Sequence, residues 1–568
     1  MNRTRFRPFI NRRSIAYFSM EIGLRSEIPT YSGGLGVLAG DTLRSAADRE
    51  IPLVGVTLIS RQGYFRQQVD TDGEQSEQAD PWEPKDWCTA LRAKICVPIE
   101  SRDVWVQAWL FTIEGGGGYE VPVILLDTDL EENTADDRAI TDHLYGGDEA
   151  YRLKQEIVLG IGGVRILRAL GFAIQIYHMN EGHSALLAME LLLQTAHDGD
   201  GHPHDKVSYD VTEIRDHCLF TTHTPVEAGQ DKFDYGLVGD MLSEYIDMDL
   251  IKELAGQDRL NMTRLALNLS GYVNGVAKSH AETSRNMFPG YRVHAVTNGV
   301  HPPTWAAAPM SRLYDHHVPS WRHEPELLVR ADQIPDDELW QAHQEAKQAL
   351  IEKIRSLSGK AFDPSLPIIG FARRITAYKR PYLLFSSPDR LREIVATQPF
   401  QLVIAGKAHP RDEPAKALMQ EIHRLCETLG ENFNWAFLPN YDMALALSLV
   451  SGSDLWLNTP KRPLEASGTS GMKAALNAVP NLSILDGWWA EGCIEQVTGW
   501  AIGTPDIPDM DQEDADSLYD KLAHQVLPLY RDDRAGWIRI MKGAVSKNAY
   551  YFNSLRMMRR YAAEAYIR

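Results

Sequence analysis

Lys473 lies in the segment RPLEASGTSGMKAALN, residues 462–477, between the short apolar run DLWLN and a helical pattern. Small glycine and hydroxyl residues at a helix start leave backbone N–H groups exposed, and such groups bind phosphate oxygens well. For a single lysine without further context, a place on a solvated helix face is the more common situation. The segment therefore predicts an anion site only where the rest of the chain supplies matching groups.

A second segment, FARRITAYKR at residues 371–380, is strongly basic. We expect it to lie at the start of a helix over residues 376–396, where the helix dipole disfavours positive charge unless an anion compensates it. A solvated basic face is the alternative that the spacing alone leaves open. The cations concerned are Arg373, Arg374, Lys379 and Arg380.

The elements that must position these residues alternate regularly from residue 367 onward. The strand-like runs LPIIGFA, FQLVIAG, NFNWAFL, DLWLN and NLSILDG are separated by helical stretches, which predicts a parallel, doubly wound sheet. The first half contains a long helical pattern over residues 148–170 and the strand-like runs SIAYFSME, IPLVGVTLI, WVQAWLF, YEVPVILLD, IQIYHMN and CLFTTHT. We therefore predict the α/β class, with two Rossmann-like, doubly wound domains facing each other across a cleft.

Residues 300–335 are rich in Pro, Trp and His without clean periodicity, which predicts a linker or hinge between the domains. We expect an N-terminal domain over 1–305, a C-terminal domain over 306–545, and a C-terminal helix within 546–568 that packs back on the first domain. Ligands of such folds bind at the carboxyl ends of the strands. The motifs that follow strand-like runs are FARRITAYKR, EASGTSGMK, TTHT (221–224), MNEGH (179–183) and TNGVHPPTW (297–305).

Composition limits the class of protein. A length of 568 residues indicates two or more domains, and 44% hydrophobic with 24% charged residues is typical of a globular chain. No apolar run reaches the roughly 18 residues that a membrane span needs. The formal net charge of −19 argues against a general nucleic-acid or anionic-membrane surface, while it allows a local basic pocket and a neutral polymer as ligand.

Other sequence features argue against particular binding sites and against secretion. Five scattered cysteines without a CxxC pair indicate a reducing compartment and no structural zinc. The first residues, MNRTRFRPFINRR, are basic and lack the apolar region of a secretory signal, so we expect a disordered arm on a cytoplasmic protein. SGGLGVLAG at 32–40 lacks the spacing of a dinucleotide fingerprint, and MNEGH has no second histidine for a metal site.

Seven motifs together carry a resemblance to a known family. EASGTSGMK, RRITAYKR, TNGVHPPTW, THTP, VNGVA (273–277), YSGGLG and FSME resemble those of the glycogen and α-glucan phosphorylases, glycosyltransferases of the GT-B fold, in the family's order. The resemblance extends from residue 14 onward and is strongest to the shorter bacterial branch. It implies phosphorolysis of the terminal α-1,4-linked glucose of glycogen or maltodextrin, giving α-glucose 1-phosphate with retained configuration.

The resemblance also implies pyridoxal 5′-phosphate as cofactor. In that family the lysine of the EASGTxxMK motif holds the cofactor covalently, which falls on Lys473, and the cofactor's phosphate serves in proton transfer. Thr469 and Arg373 would bind that phosphate. The residues that would line the cofactor pocket are Trp305, Tyr441 and Asn274.

Further family positions imply substrate contacts. Arg374 and Lys379 would hold the substrate phosphate together with the backbone amides of Gly33 and Gly34, and His223 would lie against the sugar at the cleavage site. With the cofactor-bearing lysine, these three side chains form the implied catalytic set. The other implied substrate positions are Asn298 and Glu465 at the sugar hydroxyls, Leu35, Ser467 and Gly468 in the wall, and Glu21, Glu181 and His183.

Two stretches depart from the family pattern. Glu181 and Gly182 stand where the family's Asn-Asp-Thr-His stretch has Asp and Thr. Arg-Arg-Ile-Thr-Ala-Tyr-Lys at 373–379 replaces the family's Lys-Arg-Ile-His-Glu-Tyr-Lys. These departures leave the implied phosphate site intact and concern the acceptor contacts.

Three other interpretations stay open. A nucleotide-sugar-dependent GT-B glucan synthase would share the fold and the basic pocket but would need no lysine-bound cofactor, so cofactor absorbance separates the two. An amino-acid-transforming pyridoxal enzyme would need an acidic partner for the ring nitrogen. A glucan-binding protein without activity would release no glucose 1-phosphate. The expected partners are α-glucan, inorganic phosphate and glucose 1-phosphate, with neither nucleic acid nor membrane, and a homodimer is left open.

Overall fold

The fold is that of a computed structural model, which describes residues 14–196, 209–226, 229–242, 245–430, 433–504 and 511–567. The basic N-terminal arm expected from the sequence lies outside these ranges. Within them, none of the helices combines the length and the apolar character that crossing a membrane requires.

The first half of the chain forms a nine-stranded mixed sheet and two small two-stranded sheets. Its strands are β1 (Ile15–Ser19), β2 (Leu53–Leu58), β3 (Arg66–Val69), β4 (Gln75–Gln78), β5 (Thr89–Ile99), β6 (Arg102–Glu114), β7 (Glu120–Asp127), β8 (Ile176–Asn180), β9 (Cys218–Thr221), β10 (Lys232–Asp234), β11 (Arg259–Asn261), β12 (Tyr272–Gly275) and β13 (Val293–Ala295). The order in the large sheet is β13-β12-β9-β8-β1-β2-β7-β6-β5, in which only β6 runs antiparallel to its neighbours β7 and β5. The antiparallel pair β3–β4 is a hairpin, and β10–β11 is a second antiparallel pair whose strands are separated by two helices.

The second half forms a six-stranded parallel sheet. Its strands are β14 (Ile368–Ala372), β15 (Gln401–Ala405), β16 (Asn434–Leu438), β17 (Leu455–Asn458), β18 (Asn481–Ile484) and β19 (Gly499–Ile502). The order β16-β15-β14-β17-β18-β19 is the 3-2-1-4-5-6 order of the Rossmann fold. The predicted α/β class with doubly wound sheets is therefore confirmed.

Helices connect and cover the strands. In the first half they span Gly34–Asp48, Pro84–Trp87, Ala135–Arg138, Glu149–Ile157, Gly163–Leu170, Leu186–Leu193, Val211–His217, Tyr235–Leu242, Met248–Ala255, Met262–Asn268, Lys278–Met287 and Pro302–Trp305. Further helices span Ala308–His317, Asp336–Ser358, Pro388–Thr397, Glu413–Thr428, Met443–Gly452, Thr469–Leu476, Trp489–Gly492, Asp511–Lys521, Leu527–Asp532, Arg534–Gly543 and Ser554–Tyr561. The helix predicted over 148–170 is confirmed, with a π-helical segment at Val158–Gly162.

The helix predicted over 376–396 is wrong in its first half. The segment contains only short 3₁₀ turns at Ala377–Lys379 and Leu383–Phe385 before helix Pro388–Thr397. Arg380 adopts a left-handed conformation with φ of +44° and precedes a proline, and both features are incompatible with a continuous α-helix. The four cations therefore lie on a loop, and the argument from the helix dipole does not apply to them.

The segment expected to be a linker at 300–335 is part of the folded core. It contains helix Ala308–His317 and the 3₁₀ segment Pro325–Gln333, and Trp305 and Trp321 are 1% and 0% exposed. Apolar burial thus gives order where the sequence shows no periodicity. The proposed boundaries 1–305, 306–545 and 546–568 stay predictions.

Candidate active site

The motifs meet where the strand order of each sheet reverses. In the six-stranded sheet, β15 and β17 lie on opposite sides of β14, so the loops after β14 and β17 leave a crevice between them. These loops carry the basic segment 373–380 and the segment 459–473. In the nine-stranded sheet, the loops after β1 and β8 are neighbours in the same way and carry Glu21 and Glu181.

Lys473 lies on helix Thr469–Leu476, which begins directly after Gly468. Gly468 has a φ of +83°, a conformation that glycine adopts without steric cost, so the loop turns sharply into the helix. Lys473 is 6% exposed, and its Nζ lies 3.7 Å from the centroid of the Trp305 ring. The helix thus directs a buried lysine towards the first half of the chain.

Asp41 anchors the aromatic ring that faces this lysine. Trp305 Nε1 donates a hydrogen bond to Asp41 Oδ2 at 2.8 Å, and Arg44 Nη1 lies 3.7 Å from Asp41 Oδ1. Burial lowers the pKa of Lys473 to about 8, while Asp41 opposes this shift and Arg44 reinforces it. A larger fraction of the side chain than usual is therefore the neutral, nucleophilic amine at neutral pH.

Glu465 binds both Arg373 and Lys379. Its Oε2 lies 2.5 Å from Arg373 Nη2 and 2.6 Å from Lys379 Nζ. Burial acts to raise the pKa of this carboxyl, but the charges of Lys379 and Arg373 outweigh burial and lower the pKa to about 2. Two cations therefore share one carboxylate, and this buried group keeps an excess of positive charge.

Several polar atoms around the crevice are buried without a hydrogen-bond partner among the described residues. They are Arg373 Nε and Nη1, Ser467 Oγ and Asn298 Oδ1. Such atoms cost free energy of folding unless a ligand or ordered water pairs with them. The unused guanidinium donors of Arg373 fit an anion, and the half-buried Thr469 adds a hydroxyl at the start of its helix.

Arg374 is exposed to solvent and lies among groups from both halves of the chain. Desolvation acts to lower its pKa, but Tyr378, Tyr64 and Glu21 together raise it. Tyr64 and Glu21 belong to the first half of the chain, so the guanidinium faces that half across the cleft.

The glycine pair Gly33 and Gly34 is held in place by Glu21. Glu21 Oε2 accepts hydrogen bonds from the N–H of Ser32 at 2.5 Å and of Gly33 at 3.2 Å, and Tyr145 donates to Oε1 at 3.0 Å. A side chain added at either glycine would meet no atom within 4 Å, so the space beside them is open. The Gly33 amide, expected to bind phosphate, thus donates to Glu21, while the next first-turn amides have no acceptor within their helix.

His223 is fixed by the loop after β8. Its Nε2 lies 2.7 Å from Asn180 Oδ1, and its backbone N–H donates to Glu181 Oε2 at 2.7 Å. Burial lowers the pKa of His223 to about 3, and His280 and His183 act in the same direction. The imidazole is therefore neutral at physiological pH and suits a hydrogen bond to an uncharged sugar.

Glu181 and His183 belong to the loop after β8. Glu181 Oε2 also accepts from Thr224 Oγ1 at 3.0 Å, and burial raises the pKa of this carboxyl to about 7. His183 Nε2 lies 3.4 Å from Asp231 Oδ2, and its Nδ1 is buried without a partner among the described residues. Glu181 supports the segment that carries His223, and the contacts of Glu181 and His183 with substrate stay predictions.

The remaining predicted residues lie on different sides of the crevice. Leu35 is half-buried in the first turn of its helix, and Tyr441 lies near Arg373, with its pKa raised by burial. Asn274 is fully buried, and its Nδ2 donates to Tyr561 Oη at 3.0 Å. The Asn274 amide is thus engaged by the C-terminal helix, and its expected contact with a cofactor stays a prediction.

Sequence reasoning missed three acids and phenols that shape the site: Asp41, Tyr145 and Asp486. The carboxyl of Asp486 accepts from the N–H of Glu465 at 2.8 Å, and burial raises the pKa of Asp486 to about 6. Asp41 had a detectable signal, because it is an acid among the apolar residues of helix Gly34–Asp48. Tyr145 and Asp486 follow no such pattern, and only tertiary contacts identify them.

Comparisons with known proteins show similarity to carbohydrate phosphorylases over most of the chain. A family model described as carbohydrate phosphorylase matches residues 235–498. The maltodextrin phosphorylase of Thermococcus litoralis is 38% identical over 97% of this chain and 70% of its own length. The glycogen phosphorylase of Mycobacterium tuberculosis is 38% identical over 97% and 70%, and that of Aquifex aeolicus is 34% identical over 99% and 88%. The chain belongs to the carbohydrate phosphorylase family.

Proposed function

We propose that this protein is an α-1,4-glucan phosphorylase, which transfers the terminal glucose of glycogen or maltodextrin to inorganic phosphate and releases α-glucose 1-phosphate with retained configuration. Relatives similar over most of the chain are glycogen and maltodextrin phosphorylases by name. The single observation that carries the proposal is a buried lysine of lowered pKa, Lys473, in the same crevice as the unused buried donors of Arg373.

The residues around Lys473 fit pyridoxal 5′-phosphate. Lys473 would hold the aldehyde carbon, Arg373 and Thr469 would bind the phosphate, and Trp305 and Tyr441 would enclose the ring. When bound, the cofactor supplies a phosphate group for proton transfer. Arg373 supports this placement because two of its nitrogen atoms are buried without partners among the described residues.

The substrate phosphate would be held by Arg374 and Lys379. Two phosphates in contact repel each other strongly, so positive side chains and backbone amides must surround them. Of the four cations on the basic loop, residues 373–380, Arg380 pairs with Asp511 and Asp514. Arg373 and Lys379 are partly compensated by Glu465. Arg374 is exposed to solvent and is not among the ion-paired residues of the described ranges, so its charge is available to the attacking phosphate.

The sugar would lie between His223 and the crevice wall. A neutral His223 can exchange hydrogen bonds with hydroxyl groups without placing a second cation beside the positive charge that develops at the anomeric carbon. The unpartnered Oδ1 of Asn298 offers an acceptor for a hydroxyl. Since glucan is uncharged, the net charge of −19 does not oppose its approach.

One assay tests the proposal directly. The purified protein, supplied with pyridoxal 5′-phosphate, is incubated with maltodextrin and inorganic phosphate, and glucose 1-phosphate is measured. We expect phosphate-dependent product, and glucan elongation when glucose 1-phosphate is supplied instead. Glucan elongation from a nucleotide sugar alone would favour the synthase alternative. A cytoplasmic location stays a prediction.

A further inference from the structure

The hairpin β3–β4 of the first half reaches the second half and contacts it with one face. Along this face, Gln67, Val69, Gln75 and Glu77 point towards the second sheet, while the alternate residues point to solvent. Gln67 and Gln75 are 3% and 5% exposed. Two fully buried amide side chains on a short hairpin are unusual, because glutamine is mostly exposed in folded proteins.

The amide of Gln75 binds both backbone groups of Ala408, directly after the second sheet's strand β15. Its Oε1 accepts from the N–H of Ala408 at 3.0 Å, and its Nε2 donates to the C=O of Ala408 at 2.9 Å. The same Oε1 accepts from Gln67 Nε2 at 2.8 Å. Gln75 therefore pairs with the loop after β15 as a neighbouring strand would.

The amide of Gln67 binds two other points of the second half. Its Nε2 donates to the C=O of Gly406 at 2.8 Å, and its Oε1 accepts from the N–H of Asn440 at 2.9 Å. The backbone N–H of Gln67 donates to Asn440 Oδ1 at 3.3 Å. Gln75 Nε2 also donates to Glu77 Oε1 at 2.6 Å, so the nitrogen and the oxygen of both amides are hydrogen-bonded, which gives this contact a defined geometry.

The rest of the same face adds apolar and ionic contacts. Val69 packs against an apolar cluster that includes Ile375 and Met419. Glu77 Oε1 lies 3.1 Å from Lys416 Nζ. The hairpin is therefore bound along its whole face rather than at one point.

The loop that receives these contacts is also the partner of the basic loop. The N–H of Ile375 donates to the C=O of Lys407 at 3.0 Å, and Ile375 forms an isolated parallel bridge with Ala408. Gly406 lies so close to the basic loop that a Cβ on Gly406 would approach the carbonyl oxygen of Arg373 to 2.0 Å. Residues 406–408 thus contact the hairpin on one side and residues 373–375 on the other.

We propose that Gln67 and Gln75 are positioning residues that hold the basic loop, and with it Arg374, at a fixed distance from the glycine pair across the cleft. The inference rests on the proposed function, because it assigns the hairpin to the phosphate site of that reaction. Arg374 lies directly before Ile375, and no regular helix supports it, so the backbone contacts of 406–408 decide where its guanidinium points. A misplacement of about 1 Å at such a group can cost about 100-fold in rate.

Gln67→Met and Gln75→Met test the proposal, with Gln68→Met and Gln78→Met as matched controls on the exposed face of the same hairpin. Methionine keeps the volume and removes the hydrogen bonds. We expect the first two variants to raise KM for phosphate about fivefold or more, with KM for glucan within about twofold of wild type. The controls should match wild type in both constants.

Hydrogen exchange gives a second readout that needs no activity. In the first two variants, the peptide that contains Gly406 and Ala408 should exchange its amide hydrogens about tenfold faster or more. The reason is that the loop opens more often without the hydrogen bonds from the hairpin. Asn440→Gly removes one acceptor while glycine tolerates the φ of +55° at this position, so it should show a smaller change of the same kind. This mild variant serves if a methionine variant fails to fold.

The two proposals fail in different ways. Wild-type protein that forms no glucose 1-phosphate contradicts the proposed function, and hydrogen exchange then decides alone whether the hairpin positions the loop. Unchanged exchange in the glutamine variants overturns the inference. Active variants that lose thermal stability and kcat but keep the phosphate-to-glucan ratio of KM values also overturn it, because the hairpin then serves stability only.

Discussion

Lys473 is the residue on which the cofactor assignment depends. Lys473→Met keeps an apolar side chain of similar volume and removes the amine, so we expect a folded protein that retains no pyridoxal 5′-phosphate. Glucose 1-phosphate formation should fall about 1,000-fold or more. Absorbance after gel filtration measures cofactor retention, and borohydride reduction with peptide mapping of the wild type identifies the labelled lysine.

Lys407→Met is the matched control for this prediction. Desolvation lowers the pKa of Lys407 to about 8 as well, but its Nζ donates to the C=O of Phe65 at 2.7 Å. This variant should keep the cofactor. A wild-type label on any lysine other than Lys473 would contradict the assignment.

Arg374 is predicted to bind the attacking phosphate. Loss of a charge-assisted hydrogen bond to a phosphate bound between the two halves of the chain costs about 2–4 kcal/mol. Arg374→Gln should therefore lower kcat/KM for phosphate about 30- to 1,000-fold. Because the side chain is exposed, the melting temperature should change little. Steady-state kinetics in both directions measure the effect, and Arg411→Gln, at an exposed arginine of the same half, is the control.

Lys379→Gln should behave differently from Arg374→Gln. The ammonium of Lys379 pairs with the buried Glu465, so its loss leaves that carboxylate with Arg373 alone. We expect a similar loss of phosphate kinetics together with a lower melting temperature. If both variants show normal phosphate kinetics and reduced glucan affinity, the basic loop binds the glucan acceptor and not the attacking phosphate.

At the scale of elements, Asp454 joins a helix to the second sheet. Its carboxylate lies 2.8 Å from Lys347 Nζ and 2.9 Å from His343 Nε2, both on helix Asp336–Ser358, and accepts from the N–H of Ile368 at 2.7 Å. Asp454→Asn leaves Lys347 buried with no carboxylate partner, so the free energy of unfolding should fall by about 3–5 kcal/mol. Urea denaturation measures this change.

The control for Asp454 is a surface ion pair between Glu345 of the same helix and Arg312 of helix Ala308–His317. Arg312 and Glu345 lie 2.6 Å apart but are mostly exposed, so Glu345→Gln should change stability by less than about 1 kcal/mol. An equal effect of both substitutions would contradict the role given to Asp454.

The stability that Asp454 contributes should depend on pH. Burial acts to raise its pKa, but the charges of Lys347 and His343 outweigh burial and lower the pKa to about 2. Since the folded-state pKa lies below the unfolded value of about 3.9, the contribution is present above about pH 4 and is lost as the pH falls towards 2. Wild type should therefore lose more stability than Asp454→Asn over this interval, as measured by thermal unfolding.

At the scale of the whole molecule, helix Ser554–Tyr561 packs the C-terminal segment against the nine-stranded sheet. On helix Ser554–Tyr561, Met557, Met558 and Tyr561 are buried in an apolar cluster with residues of that sheet. Met558→Ala should cost about 2–5 kcal/mol of unfolding free energy, because it opens a cavity in this contact.

Ile567→Ala is the control for the chain end. Ile567 is 77% exposed, so its truncation should leave stability unchanged within about 0.5 kcal/mol. Chemical denaturation of both variants gives the comparison. If Met558→Ala is as stable as Ile567→Ala, the helix does not contribute to the packing described here.

The sequence by itself determined the class of the fold and identified the segments that form the candidate site. Alternation of strand-like and helical runs predicts parallel sheets, because only covered parallel strands show such runs at that spacing. The motif around Lys473 and the basic run at 373–380 could be found because each lies within one short segment directly after a strand. Hairpin β3–β4 was not predicted, since its face alternates glutamine with other residues and shows no apolar pattern.

Only the tertiary structure decided how these segments meet. Strand order depends on pairing between distant segments, so the local sequence of a strand does not predict the edge of the sheet at which that strand pairs. The loop form of 373–387 follows from contacts with residues 406–408 and from the left-handed Arg380, which overrode its helical pattern. The ends of separate strands enclose the same space. For this reason Arg373 and Lys379 share Glu465, and Lys473 is buried so that its pKa is lowered.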